Sequence, residues 1–209
     1  MRTKTFTLTL LMLTAALPIA AQPQTATAET QRAVESLEIS DHTVFGTDEV
    51  VDGATILVRD FVHQQVRASV STQALETNTA YSIWWAVFNR PQYCGQPYSC
   101  TTRDLEVFGG DPRVRASVFY AGGFLSDDFG TANYSMTLIP GRTTRELFAQ
   151  TKAYGLRNLR TAEIHVVLRS HGPTGVAGKV SEQIGTATLA CPEDGCQNVF
   201  ASVHVPNID

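Results

Sequence analysis

Glu163 and His165 stand two residues apart in the run Ala162-Glu163-Ile164-His165-Val166-Val167-Leu168-Arg169-Ser170-His171-Gly172-Pro173. Alternate residues of a β-strand share one face and lie about 7 Å apart at Cα, so this spacing can bring a carboxylate and an imidazole to one ligand. His171, in the turn that follows, could supply another nitrogen, and His204 could join if the last strand lies alongside. Together Glu163, His165, His171 and His204 are a candidate ligand or metal site. Imidazole and carboxylate suit copper, zinc or iron, and a divalent ion held there would polarise water or handle oxygen species. The competing reading needs no ligand and no cofactor: the polar face is solvated, Glu163 and Arg169 balance one another, and His171 bonds to turn backbone. His42 and His63 lie in polar stretches without ligand spacing and read as surface histidines.

Nucleophilic catalysis finds little support. The chain has no G-x-S-x-G elbow, H-E-x-x-H helix, Walker loop, dinucleotide fingerprint or calcium-loop pattern, so no catalytic residue is assigned. Gly109-Gly110 and Gly122-Gly123 read as strand-end turns, because neither is followed by the helix start that a phosphate cradle requires.

A second candidate surface surrounds the first cysteine pair. Arg90-Pro91 closes the apolar run before it, since proline cannot continue a ladder, and QYCGQPYSC follows at once. Arg90, Tyr93 and Tyr98 would form a binding loop if a staple holds them, because rigid aromatics lose little rotamer freedom on contact. The alternative is that the tyrosines cover one end of the core. The four cysteines, Cys94, Cys100, Cys191 and Cys196, allow three pairings. Pairing Cys94 with Cys100 and Cys191 with Cys196 closes two short loops and is the simplest. A four-thiolate zinc site lacks the paired C-x2-C spacing that such sites use.

These residues need strands to position them, and the dominant apolar period is two. Val66, Ala68 and Val70 alternate with Arg67, Ser69 and Ser71, and Ala132, Tyr134, Met136 and Leu138 alternate with Asn133, Ser135 and Thr137. Tyr81–Phe88 is apolar on both faces, which suits a central strand covered from both sides, with Trp84 and Trp85 pointing opposite ways. Further strands are expected at Ala54–Val58, Val114–Tyr120, Ala162–Arg169, Ile184–Ala190 and Val199–Val205. Only Glu29–Leu37 and Thr143–Lys152 look helical. The expected fold is all-β, an antiparallel β-sandwich of about eight strands, with a closed β-barrel as the alternative.

The chain has 209 residues, 43% hydrophobic and 17% charged, enough for one sizeable core. Its formal charge of -4 gives no electrostatic reason to bind nucleic acid. Residues 1–28 place Arg2 and Lys4 before an apolar stretch, with cleavage expected after Ala21 or after Ala28, where Ala26-Thr27-Ala28 gives the A-x-A pattern, so they read as a signal peptide and lead-in. Without them 14 basic face 20 acidic residues, a charge of -6. Residues 29–53 then form an N-terminal segment and residues 54–209 the single domain. No later run is long enough for a membrane helix. A secreted or periplasmic product with disulfides is expected.

GLRNLRTAEIHVVLRSHGPTGVAGKV, preceded by GTANYSMTL, resembles the strand pattern of CHRD domains, in which a short A-H-I-H strand leads to a Gly-rich turn. The likeness covers roughly residues 114–190 and implies a β-sandwich. Glu163 stands where that pattern has its first histidine, leaving His165 alone of the pair. From YSIWWAVFNRPQYC through AEIHVVLRSHGP to CQNVFASVHVP the chain is similar to a group of exported bacterial proteins without an assigned activity. Two functions are therefore expected as alternatives. One is a non-catalytic module that binds a protein or glycan surface through stapled loops; the other is a metal-binding protein or metal-dependent enzyme using the Glu/His cluster.

Overall fold

The computed structural model describes residues 35–144, 154–176, 178–186, 190–193 and 195–207. The expected signal peptide lies outside these residues, as does nearly all of the expected Thr143–Lys152 helix.

Eight strands form: β1 Glu35–Val44, β2 Val50–Asp60, β3 Gln65–Thr72, β4 Thr79–Phe88, β5 Ala116–Leu125, β6 Ala132–Leu138, β7 Glu163–Pro173 and β8 Gln197–His204. They make one antiparallel sheet in the order β5-β4-β7-β8-β1-β2-β3-β6. The sheet curls until its two ends meet, with the rings of Phe124 in β5 and Tyr134 in β6 5.9 Å apart. The result is a nearly closed barrel whose opposite walls pack as two layers across one core.

The period-two segments bury the side expected of them. In β3 Val66, Ala68, Val70 and Thr72 point inward while their neighbours face out. Every residue of β4 is buried. Trp85 joins the interior cluster with Tyr81, Ile83, Val87, Phe119, Ile164, Val166 and Leu168. Trp84 points the other way, into a smaller outer cluster with Phe88, Leu105, Val114 and the Cys94–Cys100 bridge. The segment 89–115 forms that outer cover, and β4 can therefore be apolar on both faces.

Gly122 and Gly123 do not end a strand as expected; β5 runs through both. A Cβ on Gly122 would collide with the Tyr134 ring, and one on Gly123 would collide with the carbonyl of Ile184. The missing side chains let the barrel close on one side and let a short helix, α1 Val180–Gly185, pack on the other. A bulge sits at the same place, where Ile83 faces Gly122 but Trp84 faces Tyr120.

Two expected elements differ. Ile184–Ala190 does not begin a strand, because Ile184 and Gly185 belong to α1. That turn is pinned by buried Gln183, whose side-chain amide donates to the carbonyls of His171 and Pro173 and accepts from Gly175 N. The helix expected over Glu29–Leu37 is replaced, from Glu35 on, by β1. Although β1 falls in the segment expected to precede the domain, it pairs with β2 and β8 in the middle of the sheet.

β1 was hidden because its alternation runs against the usual pattern. Leu37 and Ile39 are 60% and 65% exposed, while Glu38 and His42 point inward and are buried. The inward charge is tolerated because Arg59, diagonally across on β2 where it faces Ser36, donates from Nε and Nη2 to Glu38 at 2.6 and 3.1 Å and from Nη1 to Leu159 O at 3.0 Å.

Candidate functional site

β7 sorts its side chains as its alternation requires. Ile164, Val166 and Leu168 are fully buried in the barrel, and Glu163, His165, Val167 and Arg169 face the outer side. Glu163 lies opposite Phe88 and His165 opposite Ala86 on β4. The segment 89–115 folds over this end, so Glu163 is fully buried rather than solvated. Its Oε1 accepts the backbone amide of Cys100 at 2.8 Å and lies 2.6 Å from His165 Nε2. A carboxylate can only accept, so His165 Nε2 donates. The imidazole, 12% exposed, tilts against Phe88 at 5.0 Å between centroids. Glu163 Oε2 has no hydrogen-bond partner among the described residues.

The other three residues of the polar run and its neighbours go elsewhere. Arg169 does not balance Glu163; six residues along the strand, about 20 Å away, its Nη1 donates to Asn198 Oδ1 at 2.8 Å. Burial pushes the Arg169 guanidinium pKa down. His171 lies at that same far end and is fully buried. Its Nε2 is 2.8 Å from Ser82 Oγ and its Nδ1 3.0 Å from Cys196 Sγ. β8 is indeed adjacent to β7, but the register sets His204 opposite Ile164, which turns its ring into the barrel, away from Glu163 and His165. The four residues thus occupy three places: Glu163 with His165, His171 alone at the far end, and His204 inside.

For metal binding this separation matters. Among the described residues, three ligand atoms within 4.8 Å of one another occur only at His171, Cys191 and Cys196. There both sulfurs are spent in a disulfide. Among the described residues Glu163 and His165 have no third ligand at that reach.

His204 belongs to a polar strip that lines one wall of the barrel. Neither ring nitrogen of His204, nor Ser202 Oγ, nor His42 Nδ1 has a partner among the described residues, and all are buried. Burial drives the pKa of His204 down to about 3, helped by the positive Arg59 nearby. Burial likewise lowers His42 to about 4, against a smaller opposite pull from Asp41. His42 is therefore not the surface histidine its sequence context implies. It stacks beside Phe200, and its Nε2 lies 3.0 Å from Thr55 Oγ1. Its inward direction follows from β1 being a strand at all, which nothing local in the sequence signals. His63 does lie at the surface. Its backbone amide, then its ring at 2.6 Å, hold the Asp60 carboxyl down to about 2.

The stapled loop is built as the cysteine spacing predicts, with Cys94 bonded to Cys100 and Cys191 to Cys196. Segment 89–115 is held by short helical turns at Pro91–Tyr93, Thr102–Asp104, Glu106–Phe108 and Pro112–Val114. Thr101 and Asp104 form a capping box, and Asp104 Oδ1 also accepts Gly95 N at 2.7 Å. Asn89 ties the loop's root to the segment at 155–158, donating to Gly155 O and accepting from Arg157 N. On this framework Tyr93 is 37% and Phe108 57% exposed. The Arg113 guanidinium lies 4.6 Å over the Tyr93 ring, and Arg90, in the same segment, is exposed. Tyr98 is half-buried with a left-handed backbone, φ 57°. Phe108 and Arg113 were not singled out from sequence, because no local pattern separates an exposed aromatic from a core one.

Among the described residues no helix is long and apolar enough to cross a membrane. Comparison of the chain with family models, with characterised proteins and with solved structures finds no match.

Proposed function

We propose that the chain is an exported, non-catalytic binding protein that engages a protein or glycan surface through segment 89–115. The observation that carries this reading is the anchoring of that loop. A disulfide, a capping box and the Glu163 carboxylate fix its backbone while Tyr93, Phe108, Arg90 and Arg113 remain outside. A rigid aromatic and cationic surface loses little entropy on contact, which favours binding over a mobile loop. Export is proposed from the leader pattern at residues 1–28 and is consistent with both cysteine pairs being oxidised. The likeness to CHRD domains enters the proposal for fold alone.

The experiment is retention of the purified protein on immobilised cell-wall and extracellular polysaccharides and on intact cells. Retention that falls at least tenfold in a Tyr93→Ala, Phe108→Ala double variant of unchanged thermal stability is expected. No retention on any of these surfaces, or retention indifferent to the double variant, overturns the reading.

A metal-dependent role rests on the 2.6 Å contact between Glu163 and His165, since a carboxylate behind an imidazole is how metal-binding histidines are oriented. Metal analysis of untagged protein tests it. About one equivalent of copper, zinc or iron that disappears in His165→Ala supports this second reading; much less than one equivalent and no thermal stabilisation by added metal removes it.

A further inference from the structure

The two disulfides close loops of nearly the same length, with sequence separations of 6 and 5, yet they sit in different chemical surroundings. Cys94 and Cys100 are each 5% exposed and pack in the outer apolar cluster with Trp84, Phe88 and Leu105. Cys191 is half-buried, and Cys196 is buried with its Sγ 3.0 Å from His171 Nδ1.

The disulfide fixes the His171 proton: Cys196 Sγ carries no hydrogen, so across its 3.0 Å contact His171 Nδ1 is the donor. Trp84 Nε1 can only donate, and it donates to Ser82 Oγ at 2.8 Å. Ser82 is fully buried, and with the neutral ring protonated on Nδ1 its hydroxyl donates to His171 Nε2, 2.8 Å away. The Nδ1 proton is thus aimed at Cys196 Sγ. The carbonyl of His171 accepts from Gln183 Nε2 at 3.1 Å, which holds the residue against α1.

From this arrangement we infer that Cys191–Cys196 is a thiol-exchange site, in which His171 stabilises Cys196 as the leaving thiolate. Its substrate class is a small thiol or a dithiol reductant. The external thiolate attacks the sulfur of the less buried cysteine, Cys191 Sγ, and forms a mixed disulfide there. The Cys191–Cys196 bond breaks, and its electron pair leaves on Cys196 Sγ, where the Nδ1 proton of His171 receives it as a hydrogen bond. A second thiolate then attacks the external sulfur of the mixed disulfide and releases Cys191 as a thiolate. Two thiols have become one external disulfide, and the protein has taken up two electrons. A leaving sulfur of lowered pKa departs faster, and a hydrogen-bond donor on the sulfur lowers that pKa. No comparable donor side chain among the described residues is aimed at Cys94 or Cys100. The inference is independent of any partner of segment 89–115.

The folded protein is treated with excess reduced glutathione, quenched with acid, alkylated and mapped by peptide mass spectrometry. Cys191–Cys196 is expected to open at least tenfold faster than Cys94–Cys100, with the glutathione adduct on Cys191. Equal rates, or an adduct on Cys196, overturn the proposal. The part assigned to His171 is read from the pH dependence of alkylation in protein reduced only at this pair. The Cys196 thiol is expected to titrate below the ordinary cysteine value of about 8.5 and below Cys191. A Cys196 thiol that titrates at or above Cys191 refutes the role of His171. The His171→Gln variant, if folded, should slow opening of this pair at least fivefold and leave Cys94–Cys100 unchanged; an unaltered rate again refutes it.

Discussion

Glu163 Oε1 accepts the amide of Cys100, 63 residues earlier in the chain, at 2.8 Å. One buried carboxylate thus fastens the stapled loop to β7, and the same oxygen accepts the hydrogen bond of His165 Nε2. Removing it leaves a buried amide and a half-buried imidazole without their acceptor. Glu163→Ala is expected to destabilise the fold by about 1–3 kcal/mol and to expose segment 89–115 to proteolysis, whereas Glu163→Gln, which keeps an acceptor oxygen, should lose less. Urea denaturation and limited proteolysis measure the two effects.

The pair formed by Arg59 and Glu38 makes the polar strip inside the barrel tolerable. Both side chains are buried and joined at two points. Arg59→Met should cost about 3–5 kcal/mol, because it strands Glu38 without a counter-charge. Adding Glu38→Leu should recover most of that loss. A double variant no more stable than the single one would mean that the pair is not the reason for the cost.

Acid should destabilise the fold earlier than carboxylate protonation alone would. His42 and His204 have pKa values lowered from 6.5 to about 4 and about 3. Above 6.5 both are neutral whether folded or unfolded, and they add no pH dependence. Below it the unfolded chain takes up protons that the folded chain refuses, so stability falls with pH until the folded values are reached. Each histidine contributes a slope of about 1.4 kcal/mol per pH unit across that window. Unfolding free energies measured from pH 7 to pH 4.5 should show this decline, and His204→Leu should reduce its slope. At pH 7 the same substitution is expected to raise the melting temperature, since it replaces buried nitrogens that lack partners among the described residues with apolar atoms.

The adjacent glycines of β5 allow a comparison between two kinds of neighbour. Gly123 abuts the backbone carbonyl of Ile184, which cannot move without displacing α1, while Gly122 abuts the ring of Tyr134, which can rotate. Gly123→Ala should therefore destabilise more than Gly122→Ala, by about 1–3 kcal/mol. Thermal denaturation of the two variants decides it.

Much of this was written locally. The two-residue alternation of β3 and β6 marks which side is buried, because a one-residue slip would turn every apolar group into water. The unbroken apolar run at Tyr81–Phe88 announces a strand covered on both faces, and short Gly/Pro loops make neighbouring cysteines the natural partners. The pairing of Glu163 with His165 follows from their spacing alone.

What only the folded chain decided are the relations across strands. β1 carries Leu37 and Ile39 on one face and Glu38 and His42 on the other. Hydrophobicity read along the chain would bury the first face, yet the second is inside, because Arg59 on β2 neutralises Glu38 there. His204 is likewise placed by register: facing Ile164 turns it inward, while Glu163 and His165, one residue to either side of Ile164, turn outward. A pleated strand fixes which residues share a side, but only its neighbours fix which side is the interior.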